Sequence, residues 1–378
     1  MERGNPMTDD LCDGELRSYF AAQARRELAI YRLSGADEVV ACGVGSEANR
    51  EGLQFFWRAF DQEGPSGGAW EYFERSRRFF PREIRRRRVE ESVAAGPKGR
   101  VQPGIVGADD LDGARFRSAV ASVIEAGQPA KVVLARRRRI RTENPLDPER
   151  LLEALARSHR DCRIFAISPG AELYPLFVGA TPERLVEARG GRLKTMALAG
   201  TTRQGPGTSR DDAEEQLLRS AKDRQEHRFV RDHIVARLSP FCEDLQAPSE
   251  PAMLRLATLS HLHTPIEGRL AEGVSFGEVV DALHPTPAVC GTPQEQARRF
   301  IRDHEGFDRG LYAGILGWVD GSGDGEADVL LRAALVDREG ATLFAGAGIT
   351  AASEVDVEWR ETADKFQPLM DAIIGGAR

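Results

Sequence analysis

Several parts of the chain have the hydrophobic pattern of a helix, with apolar residues three or four positions apart. The pattern predicts helices over residues 114–126, 148–158, 211–238, 294–303 and 353–374. The helix over 211–238 is expected to end before Pro240, because proline interrupts the hydrogen bonding of a helix. An arginine-rich stretch over 79–91 has a similar pattern and is predicted as a further helix.

Short runs rich in β-branched residues predict strands. They cover residues 38–45, 130–135, 163–167, 176–179 and 192–198, and a further set lies between 311 and 345, with turns at 320–325. A segment rich in Gly, Thr and Pro, 200–209, follows the strand over 192–198 and is predicted as a loop. Loops at strand ends often carry functional groups, so this segment is a candidate for part of a site.

The order of these elements indicates the fold class. Strands in hairpin-like succession, interleaved with helices, favour an α+β fold with large, mostly antiparallel sheets over a regularly alternating parallel sheet. A chain of 378 residues with 41% hydrophobic content can bury a substantial core. We find no repeat, low-complexity tract or clear linker, and therefore predict one domain over 1–378, of which residues 1–110 carry few chemical signals.

The charge distribution argues against nucleic acid as a partner. The formal net charge is −7, so the molecule as a whole repels polyanions. The basic runs 85–88 and 136–139 contain no interleaved aromatic residues, and acidic neighbours offset the first run. We interpret both runs as solvated or salt-bridged surfaces.

Cysteine usage and hydropathy indicate the cellular setting. The five cysteines, at positions 12, 42, 162, 242 and 290, form no pair or Cys/His cluster with the spacing of a zinc or redox site. A reducing, cytoplasmic location is therefore expected. No apolar run reaches the roughly 20 residues that cross a bilayer, and residues 1–13 are polar and acidic, so neither a membrane anchor nor a secretion signal is predicted.

One acidic residue lies on the apolar side of the predicted helix over 211–238. Glu226 lies at four-residue steps before an apolar stripe that ends at Leu238, which should face the core. A buried carboxylate needs a partner. Two interpretations stay open: a functional carboxylate, or a helix-edge carboxylate paired with Arg224 or His227.

The last predicted helix carries a second group of charged residues, Glu358, Glu361 and Lys365. From position alone, a solvated salt-bridge ladder is the favoured interpretation. Carboxylates from two separate helices can also hold a hard cation such as magnesium against an anionic substrate.

Two further candidates lie at strand ends. Lys131 opens an apolar strand, where partial desolvation would disfavour its ammonium form and make it a base near neutral pH, unless the side chain simply reaches water. Glu183 follows a turn and could donate a proton to a leaving group, or be an exposed acid beside Arg184. Gly346 and Gly348 could present backbone N–H groups to a carboxylate, or form a tight turn.

Seven segments, taken together, resemble the chorismate-binding enzyme family. They are KVVLAR at 131–136, GATPE at 179–183, LAGT at 198–201, KDRQEH at 222–227, LHPTPA at 283–288, FAGAGI at 344–349 and EWRET at 358–362. They occur in that family's order and spacing. The resemblance covers residues from about 114 to 378, which would be the catalytic part of the chain. It implies two large, mostly antiparallel sheets packed together with helices outside, and within the family the chain most resembles isochorismate synthases.

The resemblance also implies roles at the motif positions. Lys131 would be the base that activates water and Glu183 the acid that protonates the departing ring hydroxyl of chorismate. Mg²⁺ would be the cofactor, with Glu226 and Glu361 as ligands and Glu358 in support, directly or through water. Substrate contacts would come from Gly200, Thr201 and His261 along the ring, and from Arg332, Gly346, Gly348 and Lys365 at the carboxylates.

Other members of the family have different activities. Anthranilate and aminodeoxychorismate synthases use ammonia and resemble one another in a G-x-P-K segment, where this chain has Gln294 in place of the lysine. Salicylate synthases, which go on to eliminate pyruvate, tend to have the same lysine, and salicylate formation is the alternative activity. His263 stands where many relatives have a small residue and is expected to change the shape of the ring pocket.

A protein that binds chorismate without turning it over is a further alternative. Such a protein would be expected to have lost the base, the acid or a metal carboxylate while keeping the fold. All of these residues are present, so catalysis is favoured. An enzyme that uses isochorismate is the expected downstream partner.

Overall fold

The computed structural model describes residues 15–34, 37–45, 52–61, 70–88, 104–170, 174–202, 209–255 and 259–374. Its helices are α1 (Glu15–Ala24), α2 (Gly113–Ala126), α3 (Pro148–Ser158), α4 (Arg210–Arg219), α5 (Ala221–Leu238), α6 (Phe276–Leu283), α7 (Gln294–His304) and α8 (Val355–Ile374). The strands to Thr142 are β1 (Ala29–Ser34), β2 (Asp37–Val44), β3 (Gln54–Arg58), β4 (Ser76–Phe79), β5 (Pro81–Arg88), β6 (Ile105–Asp110) and β7 (Lys131–Thr142). The remaining strands are β8 (Arg163–Ser168), β9 (Leu176–Thr181), β10 (Arg184–Arg189), β11 (Arg192–Thr202), β12 (Ala252–Arg255), β13 (Ser260–Arg269), β14 (Gly291–Thr292), β15 (Ile315–Val319), β16 (Gly325–Val329), β17 (Ala333–Asp337) and β18 (Gly340–Ile349).

The strands form two antiparallel sheets. The first sheet has the order β14-β7-β18-β17-β9-β8-β1-β2-β5, with β6 also paired to β7, and the second has the order β12-β13-β11-β10-β16-β15-β3-β4. Every strand pair within the described residues is antiparallel. The predicted α+β class with large antiparallel sheets is therefore confirmed.

The main core lies between the two sheets. A single cluster of buried side chains joins their inner faces and includes Phe177 of the first sheet and Leu185 of the second. Trp70 stands between strands, with its ring centroid 5.3 Å from that of Phe177 and 5.7 Å from that of Phe344. The contact with Phe177 is edge-to-face, a geometry that adds to the free energy gained by burying the rings.

Helices α1, α3 and α8 cover the outer face of the first sheet. Phe20, Leu152 and Phe366 from these helices form a second cluster with strand residues such as Val178. Val178 and its neighbour Phe177 therefore point into different clusters, as the period-2 geometry of a strand requires. Because both faces are covered, every residue of β9 is buried, and none before the terminal Thr181 is polar.

Three buried charged residues and the partly buried Arg163 tie the two sheets together. Arg32 on β1 and Arg163 on β8 belong to the first sheet, whereas Glu326 and Asp328 lie on β16 of the second. Arg32 Nη2 lies 2.9 Å from Glu326 Oε2 and 2.8 Å from Asp328 Oδ2. Arg163 completes the group at 2.8 Å from Glu326 and 2.9 Å from Asp328. Burial opposes ionisation, yet the two guanidinium groups hold the pKa of Glu326 well below its ordinary value.

Two predicted helices differ from the structure. The prediction over 79–91 is wrong, because the described part of that stretch is extended, with β5 forming the edge of the first sheet and Ile84 opposite Ala41 of β2. Arginine suits a helix locally, but long-range strand pairing overrides local propensity; residues 89–91 lie outside the described residues. The helix over 211–238 is two helices, since Ser220 ends α4 and caps α5 by accepting a hydrogen bond from the Asp223 N–H.

The other predicted elements hold with shifts at their ends. The helix over 148–158 matches α3, and the predicted strand over 130–135 is the first half of the longer β7. The segment predicted as a loop from 200 begins as strand, because β11 runs to Thr202; residues 203–208 lie outside the described residues. No helix in the part of the chain that the structure describes is long and apolar enough to span a membrane.

Candidate active site

A cleft of about 780 Å³ opens between the two sheets, and ten of the twelve site residues predicted from the sequence line it. They are Glu183, Gly200, Thr201, Glu226, His261, Arg332, Gly346, Gly348, Glu361 and Lys365. The other two, Lys131 and Glu358, are fully buried: Lys131 contacts Glu226 of the cleft wall, and Glu358 pairs with Lys222. The cleft therefore brings together residues that come from both sheets and from α5 and α8.

Glu183 is a buried acid held by a rigid turn between β9 and β10. Its backbone N–H donates to Thr181 Oγ1 at 3.2 Å, and its carbonyl accepts from the Val329 N–H at 3.0 Å. Burial raises the pKa of Glu183 to about 7, although the charges of Lys131 and Lys365 partly oppose the rise. Arg184 instead pairs with Glu187, so the alternative of an exposed turn acid beside Arg184 is wrong.

Lys131 and Glu226 form a buried ion pair. Lys131 begins β7, has no exposed side-chain surface, and places Nζ 3.0 Å from Glu226 Oε1. Burial would raise the pKa of Glu226, but Lys131, with Lys222 and Lys365, brings it below its ordinary value. The alternative of a lysine that reaches water is therefore wrong.

Neither of the partners considered for Glu226 from the sequence is its partner in the structure. Arg224 pairs with Glu250, and His227 Nε2 bonds to Thr264 Oγ1 at 2.8 Å. The apolar stripe predicted after Glu226 is confirmed, since α5 packs against β11 and β13 with Leu238 fully buried.

Helix α8 contributes two carboxylates with different environments. Glu361 pairs with Lys365 one turn later at 2.7 Å, and Lys365 Nζ also donates to the Gly346 carbonyl at 2.9 Å. Glu358 is fully buried and forms an ion pair with Lys222 of α5. Burial and the Glu361 charge raise the pKa of Glu358 to about 6, with Lys222 opposing. The predicted solvated ladder is thus only half right, because Glu358 is a buried carboxylate.

Each of the three carboxylates predicted to hold a metal is therefore paired with a different lysine. In this arrangement no group of three His, Cys, Asp or Glu residues in the described part of the chain is gathered as metal ligands. The donor set nonetheless fits a hard cation, because carboxylate oxygens are the ligands that Mg²⁺ prefers. Glu358 Oε2 is buried without a well-formed hydrogen bond from a described residue, although the Ser353 side chain also interacts with this carboxyl group.

The other end of the cleft holds polar residues suited to an anion. Arg332 Nη2 lies 2.9 Å from His261 Nε2, and His261 Nδ1 lies 3.0 Å from Thr201 Oγ1. No carboxylate among the described residues neutralises Arg332, which is nearly fully buried. Its backbone φ of 48° is also unusual for a residue with a side chain and indicates local strain. A buried, unneutralised guanidinium favours an anionic ligand.

Two glycines are required by the space at the site. A Cβ at Gly348 would collide with the carboxylate of Glu226, so only glycine lets β18 pass this close to it. Gly200 has a φ of 83° and lies where the pairing of β11 with β13 shifts register. Such a bulge re-aims the following side chain, here Thr201.

Lys222 and Tyr312 are among the residues of the site that sequence reasoning missed. Lys222 opens the KDRQEH segment, so its position was visible, but its pairing with Glu358 depends on how α5 and α8 meet. Tyr312 lines the cleft and stacks on Phe344 with ring centroids 5.3 Å apart, and nothing in the local sequence marks it. His263, by contrast, is absent from the described wall of the cleft, so its expected effect on the shape of the ring pocket has no support.

Comparison with known proteins agrees with this geometry. The family model of the chorismate binding enzymes matches residues 82–374. The chain is 45% identical over 267 residues to the salicylate biosynthesis isochorismate synthase of Pseudomonas aeruginosa, covering 70% of this chain and 55% of the relative. It is 38% identical over 260 residues to isochorismate synthase DhbC of Bacillus subtilis, covering 66% and 64%. The chain thus spans between about half and two thirds of the length of these relatives.

Solved structures share the whole fold. The Bacillus anthracis protein assigned as a 2,3-dihydroxybenzoate-specific isochorismate synthase, DhbC, has a TM-score of 0.79 at 27% identity, covering 94% of this chain and 99% of that one. The menaquinone-specific isochorismate synthase MenF of Escherichia coli also has a TM-score of 0.79, at 24% identity over 97% of this chain and 92% of that one, which shows the fold. With the family match extending over most of the chain and the cleft carrying the residues of the motifs, the protein is a member of the chorismate-binding enzyme family.

Proposed function

We propose that the protein is an isochorismate synthase, which converts chorismate to isochorismate with Mg²⁺ as cofactor. The observation that carries the proposal is a buried acid with a pKa of about 7, Glu183, in the cleft wall, together with a buried lysine, Lys131, directly beside the cleft. The reaction needs one group that takes a proton from water and another that gives a proton to a leaving hydroxyl. The names of the two relatives compared by sequence support the same activity.

The acid and the base have separate duties in the reaction. Lys131, as the neutral amine, takes a proton from a water molecule whose oxygen bonds to the ring as the double bonds shift. Glu183 gives its proton to the ring hydroxyl, which departs as water. One water enters and one leaves, so the product is an isomer. Lys131 and Glu183 end as ammonium and carboxylate, and proton exchange with solvent restores them.

Charge complementarity supports a dianionic ligand such as chorismate. Arg332 has no carboxylate partner among the described residues, and Lys365 lies at the cleft wall beside the Gly346 carbonyl. Together they would offset the two substrate carboxylates, with Gly346 and Gly348 allowing close approach of the backbone. Gly200, Thr201 and His261 would lie along the ring.

Glu226, Glu358 and Glu361 would hold the cation. When bound, Mg²⁺ would offset substrate charge and stabilise the charge that develops on a substrate carboxylate. To bind the cation, Glu226 and Glu361 would leave their lysine partners. Lys131 would then lose its counter-charge, and Lys365 would be free to pair with a substrate carboxylate. The buried Oε2 of Glu358, which lacks a well-formed hydrogen bond from a described residue, supports the inclusion of Glu358 in the set.

The test is product analysis. Purified protein is incubated with chorismate and Mg²⁺, with and without a chelator, and the products are separated by liquid chromatography with mass detection. Isochorismate that disappears on chelation is the expected result. Salicylate with pyruvate would instead support the alternative, a salicylate synthase, and absence of turnover would contradict both activities.

A matched pair of variants makes the assay specific to the cleft. Glu183→Gln removes the proposed acid, whereas Glu187→Gln removes a carboxylate of the neighbouring β10 that lies outside the cleft and pairs with Arg184. Only the first change should abolish product formation. We further propose a cytoplasmic location, from the scattered cysteines, and a downstream enzyme that uses isochorismate.

A further inference from the structure

Three residues at the anion-binding end of the cleft form a continuous chain of polar contacts. Arg332 Nη2 lies 2.9 Å from His261 Nε2, and His261 Nδ1 lies 3.0 Å from Thr201 Oγ1. All three side chains line the cleft, and His261 is buried. Thr201 and His261 lie directly opposite each other on β11 and β13, a pairing made possible by the bulge at Gly200.

The chemistry of Arg332 determines which atom donates and which accepts along this series of contacts. A guanidinium group has only N–H donors, so at the Arg332 contact His261 Nε2 must accept. Nε2 therefore carries no proton, and the imidazole is neutral with its single proton on Nδ1. The backbone of Gly200 also forms a hydrogen bond with His261, and a carbonyl there can only accept.

The surroundings of His261 agree with a neutral ring. Burial lowers the pKa of His261 well below its ordinary value, and the charges of Arg332 and Lys365 lower it further. The hydrogen bond to the Gly200 backbone opposes this only in part. Arg332 and Lys365 are the charged groups that act on the ring from the described elements around it.

The tautomer of His261 then determines where the hydroxyl proton of Thr201 can point. Because Nδ1 carries the proton, it has no lone pair to offer at this contact, so Thr201 Oγ1 can only accept from it and the hydroxyl proton of Thr201 cannot point back to His261. Thr201 Oγ1 forms no other hydrogen bond within the described residues, so its own proton is free to point into the cleft. The opposite tautomer would present lone pairs to the cleft instead of a proton.

We propose that His261 is a positioning residue, fixed as the neutral Nδ1–H tautomer, which aims the Thr201 hydroxyl proton at an acceptor oxygen of the ligand, a carboxylate oxygen. Arg332, without a carboxylate partner in the described part of the chain, supplies the positive charge at the same end. Only the identity of the ligand, chorismate, rests on the proposed function. The tautomer of His261 and the donor and acceptor at each contact follow from the contacts within the protein alone.

Nuclear magnetic resonance tests the tautomer without turnover. The protein, labelled with ¹⁵N-histidine, is measured by two-bond ¹H–¹⁵N correlation at pH 6 and pH 8, and the His261 signals among the seven histidines are identified by their loss in His261→Gln. The expected pattern is a protonated Nδ1 and an unprotonated Nε2 at both pH values. A protonated Nε2, alone or with Nδ1, would overturn the proposal.

Kinetics and binding test the direction of the chain. Thr201→Ser keeps the hydroxyl and should lose much less affinity than Thr201→Val, which should weaken chorismate binding by about tenfold or more, the usual cost of a lost hydrogen bond to a charged group. His261→Gln provides one acceptor and one donor and should keep most of the affinity, whereas His261→Leu should lose it. Equal affinity of Thr201→Val and Thr201→Ser would contradict the proposal.

A double variant separates positioning from a structural role. If His261 acts through Thr201, the effect of His261→Leu on affinity should be much smaller in the Thr201→Val background than in the wild type. Fully additive effects would overturn the proposal. Affinity is measured by calorimetry, so protein that binds chorismate without turnover still gives a result, and failure of the proposed activity is thereby distinguished from failure of this inference.

Discussion

Lys131 Nζ lies 3.0 Å from Glu226 Oε1, and the two residues have different roles in the proposed reaction. Lys131 is the proposed base, whereas Glu226 is a proposed ligand of the cation. One ion pair therefore links proton transfer to metal binding, because a carboxylate that turns to a cation leaves the lysine without its counter-ion.

Replacement of Lys131 by methionine should remove the base while keeping most of the buried volume. We expect kcat to fall by about 10² to 10⁴, the range typical of a lost general base, with a smaller change in KM. The measurement is the initial rate of isochorismate formation. Lys194→Met is the control, because Lys194 is half exposed and pairs with Glu267 at 3.7 Å. Unchanged turnover in a folded Lys131→Met protein would exclude the proposed base.

The acid should give the reaction a descending pH limb. Glu183 must be protonated to donate, and its pKa is about 7, so turnover should fall as pH rises through about 7. Glu183→Gln should lower kcat by about 10² or more. A pH profile of kcat/KM between pH 5 and 9 measures the limb in the wild type, and a profile without any change near neutral pH would count against Glu183.

The same group should make stability depend on pH. The pKa of Glu183 is raised from 4.5 to about 7 in the folded protein, so the native state holds this proton more tightly than the unfolded chain. Its contribution is fully present below about pH 4.5 and is lost as pH rises through about 7. A change of one in pKa corresponds to about 1.4 kcal/mol, so the free energy of unfolding should fall by about 3 kcal/mol. Urea unfolding measures the free energy of unfolding of the wild type and of Glu183→Gln across this range. The stability of the wild type relative to the variant should fall as pH rises.

Removal of Lys222 should favour metal binding. Its ammonium group pairs with the buried Glu358 and therefore competes with a cation for that carboxylate. We expect Lys222→Met to tighten Mg²⁺ binding by about tenfold, equivalent to about 1.4 kcal/mol. Titration calorimetry with Mg²⁺ measures the affinity, and Lys194→Met again serves as the control. Weaker binding in Lys222→Met would mean that Lys222 supports the metal site.

A methyl group at Gly348 should damage the site. The Cβ of Gly348→Ala would collide with the Glu226 carboxylate, which is the mobile end of a side chain and would be displaced. We expect turnover and Mg²⁺ affinity to fall at least tenfold, and the free energy of unfolding to fall as well, because Lys131 loses its buried partner. In the control, Gly277→Ala on α6, the nearest atom to the new Cβ is 3.8 Å away. Normal Mg²⁺ affinity in Gly348→Ala would contradict the placement of Glu226.

The buried charges between the sheets should be important for stability. Arg32→Met leaves Glu326 and Asp328 with Arg163 as their remaining basic partner, and breaking a buried ion pair in this way costs about 3–5 kcal/mol. Chemical denaturation followed by circular dichroism measures the loss. Arg77→Met, which removes a partly exposed pair with Glu74, should cost no more than about 1 kcal/mol. Equal effects of the two substitutions would show that burial of the group adds nothing.

Helices with a clear apolar period could be predicted from the sequence, whereas edge strands could not. The predicted helix over 148–158 matches α3, because its period of apolar residues and the Asp147 cap are local. The arginines of β5 carry no such local signal, and only pairing with β2 makes that segment a strand. The interior strands β10 and β13, which place Glu183 and His261, were also not predicted from their own sequences.

By itself, the sequence determined the chemical groups of this protein: the lysine, the glutamates and the glycines of the motifs, and with them the family. Only the tertiary structure decided their partners and protonation. Lys222 and Glu358 are 136 positions apart, and their ion pair exists because α5 and α8 meet at the cleft. Likewise, the pKa of Glu183 is raised because two sheets bury it. Burial and distance between remote residues set these energies, and neither is a property of local sequence.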